Sequence, residues 1–581
     1  MIPTICGGSC LRHTRLFFVT STTHLPASQD HASFPPKIKA RTTPPLFVEL
    51  ACSSRSQPFI KPNRQYNNNK MNYHLFKTAL IAAVLNGSST VDATSSTRSL
   101  QNTYETINGR SCFRSLDGMI DSMTDLAAKY PDLITMESIG KSYIKTNNPS
   151  RSEYGNNIMN YDLPPGYEIY AFNVTNAKSA RQSSEKGKML ITSGVHAREW
   201  APPELNARFI ETLVEGYNTD ADITWIMDHN EVHAILYVNP DGRFISEKYP
   251  SSYWRKNLNP EGCGNGVDLN RNLDFKWGDE NGASSDPCAN DYHGSKANSE
   301  PETQAVVEYA KRLFPEDQRK DDPEGEMKTA FGEDITGVYI DIHASGGYVY
   351  YPWGHRDAKS PDNEALEALG RKINYFNGYK LWAGSQPDFM YEAAGDFSDY
   401  MYGALGVASF GYEIGDDFQQ DCARFEDEVV PINLPSLIYA AKLALKPYKD
   451  VKGPDIMEIN TRVFGGRVRV RAKASDSKMV NSITGFSNHP TGNQIIKNVY
   501  IYLDVHPDDY QVGDKKWNME VLDDNWDTSE ETVRYDVPTG GLSSGRHTIY
   551  VQAVDSRGYK GPVSSKFIDI PTQNSNLRGS P

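Results

Sequence analysis

The stretch Met189-Leu190-Ile191-Thr192-Ser193-Gly194-Val195-His196-Ala197-Arg198-Glu199-Trp200-Ala201-Pro202-Pro203 decides how the chain is read. It opens with an apolar run of strand length. Pro202-Pro203 then begins a helix with Leu205, Phe209, Ile210 and Leu213 on one face. Between the two stand His196 and Glu199. Ligand sites in open α/β sheets form where strands end, and a His and a Glu at this spacing can converge on one zinc ion. A second strand ends at Ile342-His343. Two strand-terminal histidines and a glutamate form the donor set of a catalytic zinc that keeps one position open for water. His-x-x-Glu alone is common on ordinary helices and loops, so the rest of the chain has to carry the argument.

Outward from this stretch the pattern alternates. Leu116, Met119, Ile120, Met123, Leu126 and Ala127 recur at helical spacing until Tyr130-Pro131. Strands are expected over Glu168–Asn173, His233–Val238, Gly337–Ile342, Tyr348–Trp353 and Ala408–Tyr412, with a turn at Asn239-Pro240-Asp241-Gly242. Helices are expected over Glu302–Leu313, Pro361–Phe376 and Leu434–Leu445. This is the texture of an α/β domain on a parallel or mixed sheet. Past Lys446–Gly453 it ends. Arg467–Ala472, Val499–Val505, Thr532–Val537, His547–Val554 and Ser564–Ile570 alternate apolar and polar residues between Gly, Pro, Asn and Asp. That predicts a β-sandwich of about 110 residues. No internal repeat is visible.

Composition narrows the function classes. The 581 residues carry 60 Lys+Arg against 74 Asp+Glu, a net charge of −14, which argues against a chain whose main work is gripping nucleic acid. Charged residues at 23% and aromatics at 11% suit packed globular domains. A mean hydropathy of −0.58, with no apolar run of about 18 residues, excludes a polytopic membrane protein. Residues 1–70 are rich in Ser, Thr, Pro and Asn without helix or strand period and read as an extension that is not part of the native product. Met71–Lys77 is a mildly basic lead, Thr78–Leu85 is apolar and Val91-Asp92-Ala93 resembles a cleavage site. The order is that of a secretory signal peptide at 71–93. Translation from Met71 and a secreted product starting near Thr94 follow; the alternative is a buried helix behind a disordered tail. Of the seven cysteines, Cys6, Cys10 and Cys52 lie in the extension. Cys112, Cys263, Cys288 and Cys422 in the body suit two disulfides if the protein is exported, or four buried thiols if it is not.

Several further motifs stand in order along the α/β part. They are Trp254-Arg255-Lys256, Gly266-Val267-Asp268-Leu269-Asn270-Arg271-Asn272, Tyr292-His293-Gly294, Met390-Tyr391 and Gly411-Tyr412-Glu413. Together with Gly194–Trp200, Asn239–Gly242 and Ile342-His343 they make the chain resemble the zinc metallocarboxypeptidases of the A/B type over Ser115 to Tyr448. The resemblance implies a mixed-sheet α/β catalytic domain, 112–448, flanked by helices. It implies one zinc per chain on His196, Glu199 and His343, with Asp268 orienting His196. Glu413 is implied as general base and then acid, and Arg255 as the cation facing the oxyanion. Arg271, with Asn270 and Tyr391, is implied as the holder of a substrate's terminal carboxylate, and Arg198 as an outer carbonyl-binding arginine. The family has a disulfide at Cys263–Cys288, which leaves Cys112 and Cys422 as the remaining pair. Seven residues after Tyr391, at the implied pocket floor, stands Ser398. Asp396 resembles the carboxylate that lets carboxypeptidase T accept basic ends, though it could equally cap the turn after Gly395.

The implied activity is a secreted, monomeric exopeptidase taking peptides and proteins with a free C-terminus. Apolar and aromatic ends are favoured, with some activity on basic ones. A metallo-amidase and an inactive binding homologue are the competing readings; no zinc ligand or base is lost. The chain departs from the family in three ways. Ala93 to Cys112 leaves no room for an inhibitory pro-domain. Gly415 stands where many relatives carry an Arg. Asn147–Tyr167 and Pro315–Asp334 look like insertions. The β-sandwich, 454–572, is similar to immunoglobulin-like modules of secreted enzymes and is read as a passive stabilising domain. Asn173-Val174-Thr175 is a glycosylation sequon.

Overall fold

The computed structural model describes residues 103–154, 158, 161–279, 282–318, 329–384, 392–478 and 493–572. The proposed extension and signal peptide, residues 1–93, lie outside these, as does Tyr391.

A ribbon of β1 (Thr106–Ile107) and β2 (Arg110–Arg114) leads into helix α1 (Leu116–Lys129), capped by Ser115, whose hydroxyl accepts from the Gly118 amide. Eight strands form the main sheet. They are β3 (Ile134–Lys141), β4 (Glu168–Val174), β5 (Gly187–Ser193), β6 (Asn230–Ile235), β7 (Val338–His343), β8 (Tyr348–Tyr351), β9 (Lys380–Ala383) and β10 (Ala408–Glu413). Their order is β3-β4-β6-β5-β7-β10-β8-β9. The central four, β6, β5, β7 and β10, are parallel, and both flanks are joined on antiparallel. Two apolar clusters cover the two faces. Met189, Ile191, Val338, Ile340 and Ile342 pack in one, while Leu190 and Tyr339 pack in the other, as strand alternation requires. The first is covered by α2 (Ala201–Gly216), α6 (Asn363–Asn377) and α8 (Val430–Lys442), and the second by α5 (Pro301–Leu313) and α7 (Phe397–Gly403). This is the mixed α/β sheet flanked by helices that the sequence implies.

Some boundaries shift for physical reasons. The strand expected over His233–Val238 is Asn230–Ile235, because its ladder partner β5 ends at Ser193. The turn at Asn239–Gly242 instead starts α4 (Pro240–Lys248): Asn239 Oδ1 caps the Gly242 amide at 3.0 Å, and Pro240 sits at the first helical position. Helix α3 (Ala221–His229), capped by Asp220, and the edge strand β9 carry no strong periodic signal. The sequon asparagine, Asn173, is half-buried inside β4, with β3 and β6 on either side and its Oδ1 buried. Cys112–Cys422 and Cys263–Cys288 are disulfide-bonded, with Cα atoms 5.5 and 5.3 Å apart.

After α8 the chain enters two four-stranded antiparallel sheets. One has the order β11-β12-β16-β15, from β11 (Asp455–Phe464), β12 (Arg467–Ser475), β15 (Glu520–Val521) and β16 (Glu530–Pro538). The other is β14-β13-β17-β18, from β13 (Ile496–Leu503), β14 (Lys516–Asn518), β17 (Gly545–Asp555) and β18 (Ser564–Ile570). Both contribute to one core that includes Val468, Val470, Val499, Ile501, Val533, Ile549 and Val551. The sheets are fastened to the α/β part through Asp455 at the start of β11. Its buried carboxylate meets Lys372 Nζ of α6 at 3.0 Å and Lys478 Nζ at 3.2 Å, and it accepts from the Tyr439 hydroxyl of α8 at 2.7 Å. Burial alone would raise its pKa, but the two ammonium groups win and hold it below the ordinary value.

Asp455→Ala strands the fully buried Lys372 without its counter-ion. We expect a stability loss of about 3–5 kcal/mol, read from the urea midpoint of the full chain. Because the folded pKa is depressed, this contribution is present above about pH 4 and fades as pH falls through the folded value. A loss under about 1 kcal/mol, typical of an exposed pair, removes Asp455 from this role.

Candidate functional site

The site lies where three adjacent parallel strands end. The chain leaves β5 through Gly194, at φ 62°, where a Cβ would stand 2.9 Å from the Leu236 carbonyl oxygen. Only glycine makes that turn without strain, and it delivers His196 and Glu199 ahead of α2. His343 is the last residue of β7. Glu413 is the last residue of β10 and pairs with His343 in register, so both side chains leave the same face of the sheet. Two more residues seat the turn: the Ala197 amide donates to the Arg255 carbonyl and the Trp200 amide to the Phe418 carbonyl.

His196, Glu199 and His343 are buried, and one donor atom from each lies within 4.8 Å of the others. Glu199 Oε1 is 2.8 Å from His196 Nδ1, and Oε2 is 3.1 Å from His343 Nδ1. The two Nδ1 atoms are 3.1 Å apart. On the far side of each ring, Nε2 faces a buried carboxylate: Asp268 at 3.2 Å for His196 and Asp341 at 2.7 Å for His343. A carboxylate fixes the proton on the nitrogen it faces, which leaves both Nδ1 atoms as lone-pair donors. Two lone pairs and an anion pressed together in a buried pocket call for a cation, and the donor set is that of zinc. These residues therefore fit a zinc ion, and Asp268 stands in the orienting position the sequence implies for it. The charge distribution agrees. Burial would lower the pKa of His343, yet Asp341 and Glu199 hold it well above the ordinary value. Burial would raise Glu199, yet His196 and His343 hold it well below.

Asp341 is absent from the sequence reading. Its signal is the spacing Asp341-Ile342-His343, since residues two apart on a strand share a face. Thr192, in register on β5, donates its hydroxyl to Asp341 at 2.7 Å.

The other expected residues fall around this centre. Arg255 spans Asp268 Oδ2 with Nε at 3.1 Å and Nη2 at 2.7 Å, and its Nη1 lies 3.2 Å from His196 Nδ1. Asp268 also caps the turn Leu269–Arg271 by accepting from the Asn270 amide at 3.0 Å, so one carboxylate positions His196, Arg255 and the start of the Asn270-Arg271 segment. Burial opposes its charge, but Arg255 and His196 keep its pKa well below the ordinary value. Arg271 is buried, with Nη1 donating to the Asn270 carbonyl at 2.6 Å. Asn270 turns its Oδ1 to the Phe397 amide at 3.0 Å, which ties it to the start of α7 as well as to the centre. Arg198 is half-buried and lies 4.1 Å over the Phe418 ring. Glu413 is half-buried; burial comes first and Glu199 adds to it, against His343 and Arg255, and its carboxyl is pushed up to about 8. A bound dication acts on it in the opposite direction.

Asp396 and Ser398 sit at the start of α7. Asp396 Oδ1 caps the helix by accepting from the Asp399 amide at 3.0 Å. Its Oδ2 and the Ser398 hydroxyl are buried with no hydrogen-bond partner among the described residues. Burial and the neighbouring Asp399 push the Asp396 pKa well above the ordinary value, against Arg271. Gly395, at φ 69°, lets the segment approach closely: a Cβ there would lie 2.6 Å from the Arg271 carbonyl oxygen.

Comparison with known proteins bears on this arrangement. Carboxypeptidase A1 of Bos taurus is 28% identical over 327 residues, 55% of this chain and 66% of that protein. The chain thus spans a little under two thirds of that relative. Carboxypeptidase B2 of Bos taurus is 26% identical over 347 residues, 58% of this chain and 71% of that protein. Among solved structures, thrombin activatable fibrinolysis inhibitor aligns with a TM-score of 0.46 at 24% identity, over 57% of this chain and 75% of that one. Carboxypeptidase A from Helicoverpa armigera aligns with a TM-score of 0.45 at 22% identity, over 57% and 74%. The sequence profile of the zinc carboxypeptidases, Peptidase_M14, matches residues 119–426, more than half of the chain, and this chain belongs to that family.

Proposed function

We propose that the protein is a secreted zinc exopeptidase that removes single residues from the free C-terminus of peptides and proteins, working as a monomer with one zinc per chain. The observation that carries the reading is the pair of carboxylate-backed imidazoles closing on Glu199, with Glu413 in register beside His343. Residues 112–448 are the catalytic unit, and 454–572 a stabilising β-domain. Two disulfides support export, since such bonds persist in oxidising compartments. No helix among the described residues is long and apolar enough to cross a membrane.

His196, Glu199 and His343 hold the metal, and zinc bound there supplies a Lewis acid and a water acidified toward a pKa of about 7. Glu413 accepts the proton of the attacking water on a carboxylate oxygen and then delivers it to the leaving amine nitrogen, one group serving as base and acid in turn. Its position at a strand end, half-buried among charges of both signs, suits a carboxyl that must change protonation twice per turnover. Arg255 stays fixed by Asp268 and donates to the oxygen on which negative charge develops; loss of such a donor costs about 3–4 kcal/mol of transition-state energy. Arg271, with Asn270 and Tyr391, receives the substrate's terminal carboxylate. A buried guanidinium gives that anion a fixed, forked partner, which is what selects chain ends over internal bonds. Arg198 binds a carbonyl further out.

Apolar and aromatic terminal residues are taken best, with real activity on Arg and Lys. Ser398 offers neither charge nor bulk at the pocket floor. The buried Asp396 Oδ2, without a hydrogen-bond partner among the described residues, is the group a basic end pairs with.

Glu413→Gln keeps the zinc while kcat collapses, because ligation survives and proton transfer does not. Metal content with single-turnover rates checks this, and near-normal turnover removes Glu413 from the mechanism. Arg271→Ala lowers kcat/KM for free-acid peptides by about 2–5 kcal/mol in transition-state terms, and peptides with amidated C-termini are poor for the wild type. Equal rates on amides and acids end the exopeptidase assignment. Asp396→Asn lowers kcat/KM for Arg and Lys ends by about 1–3 kcal/mol and leaves Phe ends nearly unchanged. Equal loss in both classes shows that the residue serves only as the cap of α7.

A further inference from the structure

A second group of metal-type ligands lies where the C-terminal sheets meet the α/β part. His229 is the last residue of α3, and His506 and Asp509 lie in the turn that follows β13. That turn is closed by the Asp509 amide donating to the His506 carbonyl at 2.9 Å, which brings the two side chains together. One ligand atom from each of His229, His506 and Asp509 lies within 4.8 Å of the others. The imidazoles are 9% and 5% exposed, with ring centroids 4.1 Å apart at 43°. In the catalytic pair the corresponding values are 4.6 Å and 37°.

The hydrogen bonding does not account for these rings. His229 Nδ1 and His506 Nε2 are buried without a hydrogen-bond partner among the described residues. His506 Nδ1 meets the Asp508 amide at 3.3 Å, the long end of a hydrogen bond. Asp509 divides its two oxygens: Oδ1 accepts from Arg181 Nη2 at 2.6 Å, and Oδ2 lies 3.5 Å from His229 Nε2. Arg181 therefore fixes the carboxylate as an outer partner fixes a ligand, and leaves one oxygen turned to the imidazoles. The charged groups around the rings are Arg181, Lys446, Asp228, Asp508 and Asp509; Arg181 is paired with Asp509, and Lys446 Nζ with Asp508 at 2.7 Å. Trp225 lies 5.0 Å and Tyr550 5.4 Å from the His506 ring, an apolar wall on two sides. The Asp509 side chain is 46% exposed, which gives a path from solvent and room for a water as fourth ligand.

We propose that His229, His506 and Asp509 form a second zinc site that clamps the C-terminal sheets to helix α3. Two imidazoles and one carboxylate are the ligands zinc takes. Binding through His506 Nε2 moves that ring's proton to Nδ1 and gives up only the long contact with the Asp508 amide. Because the ligands come from both halves of the molecule, metal binding at this site acts on the stability of their junction and not on peptide hydrolysis.

The test uses the full chain, stripped of zinc and titrated with Zn²⁺ alone while bound metal and Tm are followed. The wild type takes up about one equivalent more than Asp509→Asn, a half-exposed position where the substitution keeps the shape, and more than His506→Ala. A His343→Ala variant loses the other equivalent and keeps this one. The Tm of the wild type rises with the additional zinc. Asp509→Asn weakens uptake at this site by at least about tenfold, leaves peptide hydrolysis unchanged and loses the rise in Tm. Equal zinc uptake by the wild type and Asp509→Asn, or a His343→Ala protein that binds none, overturns the proposal and leaves the two histidines as packing residues.

Discussion

Two imidazole lone pairs held 3.1 Å apart, with a carboxylate against both, are stable only around positive charge. That requirement organises the rest of the α/β part. Each ring needs its outer nitrogen fixed, so Asp268 and Asp341 are buried behind them. Each of those carboxylates needs its own partner, so Arg255 stands on Asp268 and Thr192 on Asp341. Thr192 belongs to β5 and Asp341 to β7, in register, and the ladder between neighbouring strands thereby becomes part of the support for the metal ligands. Displacement of either strand by one residue would turn these groups to the opposite face.

The same economy appears in Asp268. One side chain caps a turn, faces the outer nitrogen of His196 and holds Arg255. Each contact is charge-assisted and at least partly buried, which holds the arrangement in place. It also means that effects of substitution here will not add, since removing Asp268 releases three groups together.

The legible part of the fold was the part with strong period or strong chemistry. Helix α1 and strand β18 fall where spacing places them, because their apolar faces repeat over several turns or pleats. Strand β3 and helix α3 escape because one is half-exposed on an edge of the sheet and the other is short and stands on mixed polarity. Asn239-Pro240-Asp241-Gly242 reads locally as a turn, yet the same residues are a sound helix start, and only the following turn of α4 decides between them. At the site, His196, Glu199, His343, Arg255 and Asp268 were visible through an ordered set of motifs. Asp341 was not, since an aspartate in an apolar strand has no motif and is recognised only through its alternation with His343. Asp396 shows a further limit: the cap and the unpartnered oxygen belong to one carboxyl group, and no sequence pattern separates them.

The order in which the strands enter the sheet has a consequence for synthesis. β5, β7 and β10 are neighbours in space, but Glu413 follows His196 by more than two hundred residues. A growing chain that has emerged only as far as β7 holds the three metal-type ligands but lacks Glu413, and the place beside β7 is unfilled until β10 inserts. Non-local parallel pairing of this kind closes late. In the proposed mechanism such a fragment lacks its base, because Glu413 arrives with the last strand of the sheet to be made. Chain connectivity thus sets the order in which the three ligands and Glu413 come together.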